Sequence, residues 1–300
     1  MYYYSLLLIA SALFSIQFVF YTKYQKVSGN SLLSAVRFAL GVNVVAFFVA
    51  CFSNGFRIEV TPFSSMLAMA MAVILVTFSY VSVKALSYAN LAIYSMFAML
   101  GGMLIPFVGG ILLWNEGFGI QKVVCCLLII VALLTNLPKE KSTRSGVKYY
   151  IFTFVLNGLI GLTAKFHQSG AGYNVSSKSF IALYCAFAVV LSLLLYGFLR
   201  FRQAATSDGR QPFTDERTLS LFKPRAALFY MLGYGVVNWA GNLLLLLTLL
   251  HLPASVQYPM VTGAVIAMSI VASFTIGEKP KMRTVLSAAL AVIGLIVLVL

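Results

Sequence analysis

The scarcity of charge along the chain is the feature that most limits its fold. Only 9% of the 300 residues are charged and 61% are hydrophobic, whereas a soluble domain carries about a quarter charged residues. The apolar residues are grouped in long runs, and a run of roughly 20 can cross a bilayer as a helix. A chain with so little polar surface is typical of proteins that fold in a membrane.

Ten apolar runs are long enough to be spanning helices, and short polar connections separate most of them. The predicted helices cover 3–22, 31–53, 63–86, 91–114, 118–137, 148–167, 178–199, 226–250, 254–276 and 282–300. The long connection at 200–225 combines charge, Pro and Gly, so it is predicted to be a solvated loop. All four cysteines fall inside the apolar runs, where we expect packing residues rather than disulfides or metal ligands. We therefore predict an all-α integral membrane protein with no cofactor and no metal.

The basic residues are unevenly shared between the two ends of such a bundle. Of the 21 Lys and Arg residues, sixteen lie in the first, third, fifth, seventh and ninth connections, four lie in the others, and Arg37 lies inside a span. Loops rich in Lys and Arg face the cytoplasm, so this count predicts that both termini face outside. The net charge of +14 therefore indicates topology, and we expect no nucleic-acid partner.

The two halves of the sequence resemble each other around two pairs of segments. LSYANLAIYSM (86–96) aligns with LHLPASVQYPM (250–260), with Leu, Tyr and Met at matching positions. LLWNEGF (112–118) aligns with FTIGEKP (274–280), and each segment carries a Glu. Because the matches keep the same order in both halves, they indicate an internal duplication.

Each half holds five predicted helices, which is an odd number. Two tandem copies must therefore insert in opposite orientations. We predict a first five-helix repeat at 1–137, a connecting loop at 138–147 and a second five-helix repeat at 148–300. Two inverted repeats are the plan of many secondary transporters, which bind their substrate near the middle of the membrane between the halves.

The features that carry a family resemblance are the ten spans divided five and five, the segments ALSYANLAIYSM, LLHLPASVQYPM and ALFSIQF (around Gln17), and the two glutamates Glu116 and Glu278. By these features the chain resembles the drug/metabolite transporter superfamily, in particular its EamA-type members. The resemblance implies a multi-pass protein of the plasma (inner) membrane with a central cavity beside the fourth and ninth helices. It also implies alternating access and the export or exchange of a small metabolite, such as an amino acid or a related compound. Members are usually drawn with both termini inside, against the charge count, and both orientations stay open.

Polar and aromatic side chains within the predicted spans form the candidate substrate site. Several recur at helical spacing, so they share a face of their helix. The candidates are Gln17, Arg37, Tyr80, Lys84, Tyr94, Asn157, Asn238, Trp239, Asn242, Gln257 and Tyr258. Polar side chains in spans also link helices by hydrogen bonds, and that alternative stays open for each of them.

Three other features carry expectations about the ninth helix and the span ends. Pro253 and Pro259 predict a broken helix at the start of the ninth span, one that presents Ser255, Gln257 and Tyr258 to the substrate. Lys84 and Lys165 lie near span ends, where an amine can extend to the headgroups. Glu116 and Glu278 are predicted to have structural roles at helix ends.

Motifs of phosphate-binding loops, nucleophile elbows and zinc proteases are absent from the sequence, so an enzyme is not expected. We predict a secondary transporter, with a multidrug or organic-cation exporter as the alternative in the same class and a channel or non-transporting scaffold as the alternatives outside it. The expected partners are a small-molecule substrate and the lipid bilayer, and a homodimer is left open. Every Asp and Glu lies in a loop or at a helix end, so we expect no obligatory proton gradient.

Overall fold

The computed structural model describes residues 2–29, 31–88, 91–135, 147–170, 172–206, 224–276 and 282–299, and these contain ten α-helices. The helices are α1 (Tyr2–Ser28), α2 (Leu32–Ser53), α3 (Pro62–Tyr88), α4 (Leu91–Trp114), α5 (Ile120–Thr135), α6 (Val147–Gln168), α7 (Ser177–Thr206), α8 (Pro224–Leu249), α9 (Ala254–Ile276) and α10 (Met282–Val299). Within these ranges the chain contains no strand.

The predicted boundaries of α4 and α9 are confirmed, whereas the predicted start of the loop at 200–225 is wrong. Helix α7 runs on to Thr206, into the stretch 200–225 that was predicted to be a loop, because RFRQAA is rich in good helix formers. Helix α6 begins at Val147, the last residue of the predicted connecting loop. Residues 138–146 and 207–223 lie outside the described residues, and α8 begins at Pro224, two residues before its predicted start at 226.

The helices of the described chain have the lengths and hydropathies of membrane spans. Seven of them are long and apolar enough to cross a membrane. Three shorter apolar segments, Ile120–Thr135, Ala254–Met268 and Met282–Leu298, accompany them. The coarser prediction, a multi-pass helical membrane protein, is therefore supported by length and composition.

The main helix contacts join eight of the helices into a ring. Its order is α1, α8, α2, α7, α3, α6, α4 and α9, which packs in turn on α1. Helices α5 and α10 pack against each other and beside the ring, on α4 and α9. One end of the ring holds the start of α1 and the loops after α2, α4, α6 and α8, and it is called the termini end. The opposite end holds the helix ends that lead into the other connections, which are rich in Lys and Arg, and it is called the basic end.

The largest apolar cluster closes the ring toward the termini end. It joins buried side chains of six helices, among them Ala68 of α3, Ala164 of α6, Phe180 of α7, Leu246 of α8 and Tyr258 of α9. A second cluster joins α4, α5, α9 and α10. Helices α6 and α8, which are not neighbours in the ring, thus meet through the first cluster.

Two prolines lie inside continuous helices rather than at breaks. Pro106 is within α4 and Pro259 is within α9, so the predicted broken helix is wrong. Both side chains are fully buried. Pro259 is the sixth residue of α9, where its ring removes one intrahelical bond, and the helix continues through it.

Candidate functional site

The end of α4 is shaped so that Glu116 reaches across to α9. Trp114 is the last helical residue, and Asn115 then takes a left-handed conformation with φ of 49°. Asn is one of the few residues that adopts this conformation readily. The N–H of Glu116 donates back to the carbonyl of Gly110 at 3.1 Å, which fixes the turn and the direction of the side chain.

The carboxylate of Glu116 caps the N-terminus of α9. The backbone N–H groups of Ala254 and Ser255 donate to its Oε1 and Oε2 at 2.8 and 2.7 Å. The first N–H groups of a helix have no partner within the helix, and Pro253, which precedes α9, has no side-chain acceptor to offer. A carboxylate also interacts favourably with the positive end of the helix dipole, so Glu116 supplies both the acceptor and the charge.

Two lysines complete this group of contacts. Lys165 of α6 pairs with Glu116 at 3.1 Å, and their side chains are only 11% and 8% exposed. The ammonium of Lys122 donates to Ser255 Oγ at 2.8 Å and to the carbonyl of Gly117 at 2.6 Å. The expectation that Lys165 extends to the headgroups is wrong, because its ammonium is held in a buried ion pair. Glu116, Lys122, Lys165, Ala254 and Ser255 are called the Glu116 cluster.

The Glu116 cluster keeps its carboxylate ionised. Burial alone raises the pKa of Glu116, but hydrogen bonds from the Ser255 backbone and side chain, the Ala254 amide and Lys165 together hold that pKa below its usual value. Bonds donated to a carboxylate favour its charged form. The capping interaction is therefore present in full at neutral pH.

The next residues of α9 bind two further helices. The Nε2 of Gln257 donates to the carbonyl of Leu245 in α8 at 2.9 Å. The hydroxyl of Tyr258 donates to the carbonyl of Gly161 in α6 at 2.8 Å. Gln257 and Tyr258 are 0% and 6% exposed. The first turn of α9 thus ties together α4, α6 and α8, which explains the polar residues of the PASVQYP stretch.

Gln17 of α1 lies at the same depth as the middle of α8. Ring atoms of Phe14 lie 2.8 Å from where a Cβ on Gly241 would be, and ring atoms of Phe20 lie 2.6 Å from one on Gly233. The two helices therefore run antiparallel in close contact. Gln17 lies halfway between the two phenylalanines in sequence, and therefore at the depth of the stretch of α8 that contains Asn238.

Asn238 and Asn242 form a hydrogen-bonded pair on α8. The Nδ2 of Asn242 donates to Asn238 Oδ1 at 3.0 Å and to the Asn238 carbonyl at 2.8 Å. Val236 and Leu247 of the same helix are exposed, and at helical spacing they lie on the face opposite Asn238. Asn238 is therefore turned away from the apolar outer surface of the helix.

Three predicted site residues hold buried polar atoms that have no hydrogen-bond partner among the described residues. These are Gln17 Oε1, Trp239 Nε1 and Gln257 Oε1, and the same holds for Tyr150 Oη and Ser192 Oγ. An unsatisfied buried polar atom costs about 1–3 kcal/mol, so native proteins keep few of them. A bound polar molecule or water at these atoms would remove that cost.

Asn157 and Tyr94 act as links between helices. The Nδ2 of Asn157 donates to the Ala98 carbonyl of α4 at 2.7 Å. The hydroxyl of Tyr94 donates to Ser82 Oγ of α3 at 2.7 Å. For these two predicted site residues the structure shows the interhelical role that the sequence left open.

The remaining predicted site residues lie on α2 and α3. Arg37 of α2 lies close enough to the hydroxyl of Tyr196 in α7 to interact with it. Lys84 is half-buried near the end of α3. Tyr80 is 37% exposed, on the side of α3 that also exposes Val73 and Thr77.

The two histidines occupy structural contacts. His167 is fully buried, lies 3.1 Å from Ser64 Oγ and stacks on Phe180 at 3.7 Å between ring centroids. His251 stacks on Tyr3 at 4.0 Å. Among the described residues no group of three or more His, Cys, Asp or Glu side chains could hold a metal ion. The four cysteines are buried free thiols, as predicted for packing residues.

Sequence reasoning assigned Glu116 a structural role but did not foresee its partners on α9 and α6. The available signals were a Glu directly after a helix-ending Asn, and a helix that starts behind Pro253 with no Ser, Thr or Asp cap. Glu59 plays a similar part at α7, where its Oε2 accepts from the Ser176 N–H at 2.8 Å. Glu278 lies outside the described residues.

Comparisons with known proteins support the fold and leave the family open. No protein-family model matches the sequence, and no curated protein does. A crystal structure of a protein superposes with a TM-score of 0.64 at 15% identity, over 98% of this chain and 95% of that chain. At this identity the likeness shows that the two chains share a fold from end to end.

Proposed function

We propose that the protein is a secondary transporter built of ten transmembrane helices in two inverted five-helix repeats. The observation that carries this proposal is the symmetry of the helix packing. Inverted repeats place the substrate between the halves near the middle of the membrane, and such a plan predicts that the main contacts between helices have counterparts in the other half.

The main contacts have those counterparts. Exchanging the halves replaces each of α1–α5 by the helix five positions later and each of α6–α10 by the helix five positions earlier. Under this exchange α1–α8 corresponds to α3–α6, and α4–α6 corresponds to α1–α9. Likewise α3–α7 corresponds to α2–α8, and α9–α10 corresponds to α4–α5. The pairs α2–α7, α4–α9 and α5–α10 map onto themselves. A twofold relation between the first and the second five helices accounts for this pattern.

The unpartnered polar atoms support a substrate path inside the ring. Gln17 lies near mid-length of α1, at the depth of Asn238, and Trp239 follows on α8. Carboxamides and an indole N–H recognise small polar molecules without requiring a net charge. These polar groups favour a small metabolite, such as an amino acid or a related compound, over a bulky apolar drug.

The remaining features of the proposal come from the sequence. They are membership of the drug/metabolite transporter superfamily as an EamA-type protein, export or exchange by alternating access, and a place in the plasma (inner) membrane. The uneven Lys and Arg distribution favours the basic end in the cytoplasm. Because no carboxylate is predicted within a span, we propose facilitated diffusion or exchange without an obligatory proton gradient.

The test begins with a thermal-shift screen of the purified protein against a library of small metabolites. Compounds that raise the melting temperature are then assayed for uptake into proteoliposomes, with protein-free liposomes as the control. Unlabelled substrate loaded inside should stimulate uptake of labelled substrate from outside. Saturable uptake with this counter-flow stimulation is the expected result.

Other results would replace the proposal by a definite alternative. Flux near diffusive rates without counter-flow stimulation indicates a channel, and no flux of any stabilising compound indicates a scaffold. A preference for organic cations among the transported compounds indicates the multidrug or organic-cation exporter. Accumulation that requires a pH difference and is lost in His251→Ala would show proton coupling, against the mechanism proposed here.

A further inference from the structure

The Glu116 cluster joins the two proposed repeats at the termini end. Glu116, in the connection between α4 and α5, and Lys122 of α5 belong to the first half, whereas Lys165, Ala254 and Ser255 lie in helices of the second half. The bonds from Ala254, Ser255 and Lys165 to Glu116, and from Lys122 to Ser255, therefore all cross between the halves. Each of them joins a charged group to its partner, and such bonds are stronger than neutral ones.

The cluster also holds the segment that closes the ring beneath it. Directly after Ser255, Gln257 binds the α8 carbonyl of Leu245 and Tyr258 binds the α6 carbonyl of Gly161. Tyr258 packs in the apolar cluster through which α6 and α8 meet. Movement of the first turn of α9 would therefore release contacts on both sides of the ring at once.

We propose that Glu116 is a conformational latch that keeps the termini end closed and must release α9 each time that end opens. This inference rests on the transporter proposed above. In alternating access the two halves rock against each other around a fixed site, so cross-half bonds at one end must break in every cycle. The Glu116 carboxylate, which receives three of these bonds, is the group whose displacement breaks most of them.

The structure offers a variant that displaces the carboxylate without changing any charge. A Cβ on Gly110 would meet Glu116 Oε2, would lie 2.9 Å from Glu116 Cδ, and would lie 3.2 Å from the Ser255 nitrogen. Gly110→Ala therefore pushes the side chain off α9. Gly109→Ala is the matched control, because its Cβ would meet the flexible end of Leu162 at 2.5 Å and leave Glu116 untouched.

Two measurements on the full-length protein in liposomes test the latch, and neither needs a substrate. The first is hydrogen–deuterium exchange of the peptide that contains residues 254–257, which reports the capping bonds. The second is labelling by a membrane-impermeant maleimide of Leu246→Cys, a position only 3% exposed within the cluster below the latch. Mass spectrometry of the labelled peptide separates this cysteine from the native ones.

We expect Gly110→Ala to raise exchange at 254–257 and to speed labelling from the termini end by roughly tenfold, the change expected when an equilibrium loses one charge-assisted hydrogen bond. Gly109→Ala should match the wild type in both measurements. Faster exchange without faster labelling would overturn the latch, because the cap would then be structural only. An unchanged result in both measurements would overturn it as well.

Glu116→Ala provides a second variant that removes the carboxylate altogether and should act in the same direction in both assays. The failure of the transporter proposal is separate and visible. If labelling responds as expected but the wild type transports no metabolite, Glu116 still holds the termini end closed, and the transporter is rejected together with the opening cycle that it implies.

Discussion

The close contact between α4 and α6 can be tested by replacing Gly101. An added Cβ there would lie 2.6 Å from the carbonyl carbon of Phe154 and 2.7 Å from its Cα, with the carbonyl oxygen nearer still. Ordinary contact begins at 3.4 Å, so Gly101→Ala forces the helices apart by about 0.8 Å or more. The obstacle is backbone, which cannot rotate away as a side chain can.

We expect Gly101→Ala to destabilise the protein by about 3 kcal/mol, at the upper end of the range for overpacked interiors. This corresponds to a fall in melting temperature of roughly 5 °C or more. The measurement is thermal unfolding of purified protein in one detergent, followed by tryptophan fluorescence. Asn157, which binds Ala98 one turn away on α4, should lose its bond as the helices separate.

Gly117→Ala is the matched control, because nothing lies within 4 Å of its Cβ position. It should melt within about a degree of the wild type, as surface substitutions usually do. If Gly101→Ala has the same melting temperature as Gly117→Ala, the close approach of α4 and α6 is incorrect. The proposed symmetry of the ring would then lose one of its principal contacts.

Three further outcomes follow from individual contacts. Asn242→Leu should leave the protein folded, cost about 1 kcal/mol in thermal unfolding because Asn238 Oδ1 loses its donor, and lower proteoliposome uptake about tenfold, the equivalent of one hydrogen bond. Normal uptake would remove Asn242 from the site. Tyr258→Phe should cost about 1 kcal/mol in thermal unfolding because the Gly161 carbonyl loses its donor, whereas an equal melting temperature would show that the bond is dispensable. For Glu116, whose pKa is lowered from 4.5 on folding, the stabilisation is complete above that value and is lost as pH falls through the lowered pKa. The melting-temperature difference between wild type and Glu116→Gln should therefore shrink below about pH 4.5, and a constant difference would contradict an ionised cap.

The helices could be predicted from the sequence because a membrane leaves the backbone few alternatives. Runs of apolar residues must hydrogen-bond internally, so hydropathy located α4 and α9 with correct ends. Where the chain leaves the apolar runs this rule no longer applies, and α7 continued past the predicted start of its loop. The predicted break at Pro259 was wrong because a proline near the start of a helix removes one backbone hydrogen bond without ending the helix.

The candidate site was harder to predict because a polar residue in a span has two roles that look alike in sequence. Asn157 and Tyr94 were candidates for substrate contact, and the structure shows them bonded to Ala98 and Ser82. Only packing distinguishes an amide bonded to a neighbouring helix from one such as Gln17, whose Oε1 has no hydrogen-bond partner among the described residues. The long-range pairing of Glu116 with α9 likewise depends on which helices are neighbours, and local patterns do not contain that information.

The burial of α9 has a consequence for how the sequence can change over time. Residues 254–260 are buried at every position, whereas α8 exposes an apolar face that includes Val236 and Leu247. A position facing lipid accepts most apolar side chains, since hydrophobicity is all it requires. In the first turns of α9 the same exchange of one apolar residue for another would alter a packed contact. Helix α9 should therefore diverge slowly among relatives, and libraries of random variants should be depleted of substitutions there even when hydrophobicity is preserved.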